Sequence, residues 1–100
     1  MFVNQLAYFI AIRNSIYSEQ VESPFSVIVG EDVRRLDSVL WVVKLGAGYD
    51  SEYSGYIDAI MDVFEKALTS YHNRDHAEFL AYLTMFKQRC QWSINELNAE

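Results

Sequence analysis

Apolar residues recur at helical spacing in four stretches of the chain. In the first, over about 3–17, Phe2, Leu6, Phe9, Ile10 and Ile16 fall on one wide face, and Asn4, Gln5, Asn14 and Ser15 take the other. A polar run over 18–24, closed by Pro24, separates it from the next. The second stretch opens with Ser23-Pro24, a capping residue followed by proline at a first helical position. Residues 25–29 read as a short strand or a helical turn, with β-branching tipping them toward strand, and Gly30 interrupts them. From Glu31 the pattern is helical: Val33, Leu36, Leu40 and Val43 share a face, Glu31 and Asp32 occupy the first turn, and Gly46 ends it.

The third stretch, over 51–71, carries Tyr53, Ile57, Ile60, Met61, Phe64, Leu68 and Tyr71, with Asp50, Ser51 and Ser54 as candidate N-caps. The fourth, over 75–97, opens with a capping-box pattern, Asp75-x-x-Glu78, before Phe79, Leu83, Phe86, Cys90, Ile94 and Leu97. The break between these two is short, which predicts an antiparallel helical hairpin. The expected fold is therefore all-α: a compact, four-helix bundle-like single domain over 1–100 with a C-terminal helical hairpin.

Composition narrows the function. Eight basic residues against fourteen acidic ones leave a net charge of −6. The bases (Arg13, Arg34, Arg35, Lys44, Lys66, Arg74, Lys87 and Arg89) are scattered among acids. Direct binding of nucleic acid or of an anionic membrane needs such charges clustered, so neither is expected. The apolar run over 6–12 is far short of the roughly 20 residues a membrane span requires. The amino-terminal residues carry no basic region of the signal-peptide kind. The single Cys90 has no partner for a disulfide or a thiolate zinc site. These features point to the cytoplasm.

Motifs for chemistry are sparse, and neither a cofactor nor a resident metal is expected. His72-Asn73-Arg74-Asp75-His76 packs catalytic side-chain types closely, and two His four apart can bind a metal on one helix. Here they straddle a predicted turn, so capping by Asn73 and Asp75 with solvent-exposed imidazoles is the expected role. A small metal-dependent enzyme built on His72, Asp75 and His76 is the least favoured alternative. Cys90 lies on the apolar stripe, where a thiol behaves as a small hydrophobe. No Gly-x-Ser-x-Gly elbow and no phosphate loop is present.

Two surfaces stand out instead. The first joins Tyr49, Asp50, Glu52 and Tyr56 to a ridge of Asp58, Asp62 and Glu65 at i, i+4 and i+7. Like charges at that spacing repel, and tyrosines are enriched in recognition surfaces. The second comes from the tryptophans. At 100° per residue Trp92 falls about 140° and Met85 about 120° from the centre of the fourth stripe, and Trp41 about 140° from Leu36. Ala81 and Gln88 extend the Met85–Trp92 seam. Something must cover such residues: segment one, the connection over 18–30, or another chain.

The expected function is non-enzymatic protein binding, through docking on a partner with a basic surface. Small acidic inhibitors of nucleic-acid-handling proteins use surfaces of this type, among them immunity proteins of toxic nucleases and phage anti-CRISPR or other anti-defence proteins. The competing expectation is a homo-oligomeric structural or regulatory protein, in which the Trp41 and Trp92 surfaces pair as in a homodimer.

Overall fold

A computed structural model of the chain describes residues 2–47 and 52–99. Four helices follow in order: α1 (Phe2–Glu22), α2 (Val27–Ala47), α3 (Ser54–His72) and α4 (His76–Ala99). Each helix packs on its sequence neighbours, α1 also packs on α4, and the backbones of the diagonal pairs α1/α3 and α2/α4 stay apart. This is a four-cornered bundle, 39 × 24 × 18 Å in extent, with α3 and α4 as its C-terminal hairpin.

The core explains the arrangement. Phe2, Leu6, Phe9, Arg13, Ile16 and Gln20 are all buried on α1, at alternating spacings of four and three. Val29, Val33, Leu36, Leu40 and Val43 repeat this on α2, and Phe79, Leu83, Phe86, Cys90 and Ser93 on α4. On α3 the same rhythm runs through Ile57, Ile60, Phe64 and Ala67. A repeat averaging 3.5 residues keeps one seam facing its neighbours along nearly parallel helix axes, the packing of bundles and coiled coils.

Two buried polar residues on α1 reach across to α4. Arg13 Nε donates to the Leu83 carbonyl at 3.0 Å, and its guanidinium lies 4.4 Å from the Tyr17 ring centroid. Burial pushes this guanidinium down from its usual value, and the neighbouring Tyr17 works against that shift. Gln20 is fully buried: its Oε1 accepts from the Phe25 N–H at 2.9 Å, and its Nε2 lies 2.9 Å from His76 Nδ1.

The chain departs from the sequence pattern at its turns. α1 continues through the polar run to Glu22, because Gln20 is a core residue there. Residues 25–29 are not a strand: Phe25 lies in the turn, and residues 27–29 are the helical alternative, the first turn of α2. α2 begins at Val27 and passes unbroken through Gly30. Its capping side chain is Ser26, whose Oγ accepts from the Val29 N–H at 3.2 Å, and not Ser23. Phe25 takes a left-handed φ of 57°, a conformation that costs a non-glycine residue roughly 1–2 kcal/mol. Its hydrogen bond to Gln20 and its ring contacts with Tyr71, His76 and Phe79 hold it there. Because α2 starts four residues before Glu31, neither Glu31 nor Asp32 lies in its first turn. Asp32 is buried and accepts from Ser15 Oγ at 3.2 Å.

At the head of α3 the N-cap residue is Tyr53, with no side-chain cap, so Ser54 does not fill that role. Asp50 and Ser51 lie outside the described residues. The turn into α4 is a Schellman motif with Arg74 at the left-handed position, φ 57°. Asp75 N–H bonds the Ser70 carbonyl at 3.0 Å and Arg74 N–H the Tyr71 carbonyl at 3.1 Å. Asp75 then caps α4 by accepting from the Glu78 N–H at 3.1 Å. The return half of the capping box is absent, since Glu78 Oε1 accepts from Ser70 Oγ instead.

Candidate functional site: the groove between α3 and α4

Antiparallel pairing about the Arg74 turn decides which outer flanks of α3 and α4 meet. Tyr56 and Trp92 lie equally far from Arg74 along the chain, and their ring centroids are 6.0 Å apart. Ala59 and Arg89 are equidistant in the same way, and Arg89 Nη1 donates to the Ala59 carbonyl over 3.4 Å. Between these flanks runs an open groove of about 780 Å³. Glu52, Gly55, Tyr56 and Ala59 form its α3 side, and Met85, Gln88, Arg89, Trp92 and Ser93 its α4 side.

The groove is mostly apolar, with a few polar groups. Trp92 is 57% exposed and Met85 38%. Tyr56 is half-buried, anchored by Trp92 on one side and by Phe2, at 6.5 Å, on the other. Gly55 and Ala59 keep the α3 side low. Ser93 turns its hydroxyl to the Arg89 carbonyl at 2.9 Å, which satisfies that donor within α4. Neither Glu52 nor Arg89 has an ion-pair partner among the described residues.

The two surfaces expected from the sequence are thus redistributed. Glu52 and Tyr56 of the first join Met85 and Trp92 of the second in one groove. Tyr56, expected to face away from the core, packs against its edge. Tyr49 and Asp50 lie outside the described residues. Asp58 turns toward α2 and pairs with Lys44, and Asp62 pairs with Lys66 at 3.6 Å. The acidic ridge is therefore part-neutralised, and only Glu65 of the three lacks a cation partner among the described residues. Trp41 is not in the groove. It stands 48% exposed with Val42 and Leu45 on the outside of α2. Both tryptophans thus stay about half exposed in the folded chain.

The histidine turn also differs from expectation. His72 is exposed against the Tyr71 ring. His76 is half-buried, and its Nδ1 faces the amide nitrogen of Gln20. The Oε1 of that amide is taken by the Phe25 N–H, so Nε2 is the donor and Nδ1 the acceptor. His76 is thus a packing residue of the α1–α4 seam. Asp75 and Glu78 are spent on the cap and on Ser70. Among the described residues no three His, Cys, Asp or Glu side chains converge on a metal position. Cys90 is fully buried, and desolvation pushes its thiol up to about 12, the reverse of what a nucleophile needs. No helix among the described residues is long and apolar enough to cross a membrane.

Sequence reasoning missed Gly55, Ala59, Arg89 and Ser93 as groove residues. The signal that finds them is the equal distance of facing positions from Arg74, which requires the turn to be placed first. No family model, curated protein or solved structure matches the chain.

Proposed function

We propose that this chain is a protein-binding module without catalysis, and that its docking site is the α3–α4 groove. One observation carries the reading: Tyr56, Met85 and Trp92 converge on an open apolar groove with an acid, Glu52, at its end. Exposed aromatic side chains of this kind anchor interfaces, because they bury large area at low entropic cost, and methionine is enriched beside them. The net charge of −6 favours a partner with a basic surface, through steering of the encounter. Action as a small acidic inhibitor on a basic site of a nucleic-acid-handling protein, of the anti-CRISPR, anti-defence or toxin-immunity kind, is the most specific form of this proposal. A cytoplasmic setting accords with the lone buried thiol.

The test is affinity capture from lysate with wild type, Tyr56→Ala and Trp92→Ala as matched baits, each first shown to be helical by circular dichroism. A protein held by the wild type should dissociate faster from either variant, by an amount near the ~2 kcal/mol of an anchor residue. Equal retention by all three baits would place the docking site elsewhere.

A second reading rests on α2. Trp41, Val42 and Leu45 are 48%, 69% and 76% exposed side by side, a patch that a second copy could cover in a homodimer. Light scattering separates the readings: a monomer removes the second, and a dimer lost on Leu45→Lys supports it.

A further inference from the structure

The α1–α2 and α3–α4 turns meet at the end of the bundle away from the groove, and one amide joins them. Gln20 is fully buried near the end of α1. Its Oε1 accepts from the Phe25 N–H, and its Nε2 donates to His76 Nδ1, both at 2.9 Å. The backbone fixes this assignment. The Phe25 N–H can only donate, so the amide oxygen faces it, the amide nitrogen faces the imidazole, and Nδ1 carries no proton.

We propose that protonation of His76 opens the α1–α2 turn at Phe25, so that this end of the bundle is an acid-sensitive latch.

The argument is one of donors and acceptors. An imidazolium carries a proton on both nitrogens and has no acceptor left. Its Nδ1–H then faces the Nε2 donor of Gln20. Turning the amide over moves the conflict without removing it, because Nε2 then faces the Phe25 N–H. The amide has one oxygen for two donors, and one of the two bonds is lost. The bond to a cation is charge-assisted and roughly twice as strong as the neutral one, so the Phe25 bond gives way. The backbones agree. Gln20 and His76 are fixed within α1 and α4, whereas Phe25 sits in the turn at a φ of 57°, which is strained for a non-glycine residue. Once the turn opens, the Phe25 ring leaves those of Tyr71, His76 and Phe79, and the buried Phe79 meets water.

No neighbouring charge offsets the proton. The titratable groups of the surrounding elements are Glu19 and Glu22 at the end of α1, Tyr71 and His72 at the end of α3, Arg74 in the turn, and Asp75 and Glu78 at the head of α4; α2 brings none before Glu31. Among the described residues no carboxylate lies within ion-pair distance of the imidazole. Asp75 and Glu78 are engaged by the α4 cap and by Ser70, and Arg74 brings a positive charge over the Phe25 ring at 5.1 Å. The folded chain thus resists a proton that the unfolded chain accepts. The stabilisation is complete on the alkaline side of histidine's titration and is lost as pH falls through it.

The test is amide exchange at Phe25, read by NMR as protection over the intrinsic rate, at about pH 8 and about pH 5, the two sides of the histidine range. In the wild type, protection should fall about tenfold on going to the lower pH, the loss of one buried hydrogen bond. His76→Gln puts an amide that does not titrate in place of the imidazole, and protection should stay constant. Gln20→Glu should reverse the dependence, since a carboxylate accepts from both the Phe25 N–H and the imidazolium. His72→Gln should follow the wild type. Constant protection in the wild type, a fall that persists in His76→Gln, or one that vanishes in His72→Gln would each overturn the inference. A folded Gln20→Glu chain that loses protection as the wild type does would overturn it too. If circular dichroism shows Gln20→Glu unfolded, the wild-type and His76→Gln results decide.

Discussion

Cys90 shows how position decides chemistry at the scale of one residue. The thiol is fully buried on α4, with its proton held up to about 12 against 9.0 for a free group. Below pH 9 the thiol is neutral in both folded and unfolded chains. Above 9 the unfolded chain gives up the proton and the folded chain keeps it. The stabilisation is therefore complete below 9 and is lost as pH rises toward 12, at about 1.4 kcal/mol per pH unit. Urea unfolding across this range should show the stability gap between wild type and Cys90→Ala narrowing as pH rises. A gap that stays constant would mean the thiol is solvated. Arg13 and Gln20 teach the converse: each is polar, buried and hydrogen-bonded across a seam. In the sequence Arg13 reads only as a scattered base and Gln20 as part of a polar break, because a polar side chain at a core position erases the apolar pattern by which a core is recognised.

Among the elements, α2 owes its position to a missing side chain. A Cβ at Gly30 would lie 2.9 Å from Tyr71 Oη on α3, and the Tyr71 ring is itself held by Phe25 and Phe79. Gly30→Ala therefore sets a propensity gain of up to about 1 kcal/mol against a clash. In a Tyr71→Phe background the clash is gone, and the same substitution should stabilise. Thermal unfolding of the four proteins in this cycle should give a coupling of at least ~0.5 kcal/mol, and simple additivity would show that the two residues are not in contact. The elements themselves were legible, since the 79/83/86/90 and 33/36/40/43 spacings are what the core uses. The stretch 25–29 was not. β-Branched Val27, Ile28 and Val29 and the break at Gly30 suggest a strand, whereas Ser26 starts a helix there and Gly30 answers to Tyr71. The candidate site was legible in half. Wheel angles separated Met85 and Trp92 from the core, but only the pairing of the hairpin brings Tyr56 and Glu52 beside them.

For the whole molecule, four seams close one core and Phe86 sits inside it, fully buried, with its ring 5.8 Å from that of Phe64. Phe86→Ala should cost roughly 3–5 kcal/mol through lost burial and a cavity. A domain has only about 5–15 kcal/mol in total, so the variant should be near unfolding at room temperature. A denaturant midpoint close to that of the wild type would show that the core repacks around the gap. The regularity of the core raises a problem of its own. A pattern that repeats every seven residues matches itself again after a slide of about 10 Å, with apolar groups meeting apolar groups once more. Arg13 would barely notice such a slip between α1 and α4, since any helix carbonyl can serve in place of that of Leu83. Gln20 would notice: moved by seven residues, its amide meets Leu83 where it now meets His76 Nδ1, and the half-buried imidazole nitrogen is left without its donor. A single amide–imidazole pair at one end of the bundle thus acts as the vernier that tells the correct alignment of first and last helix from its nearest counterfeit.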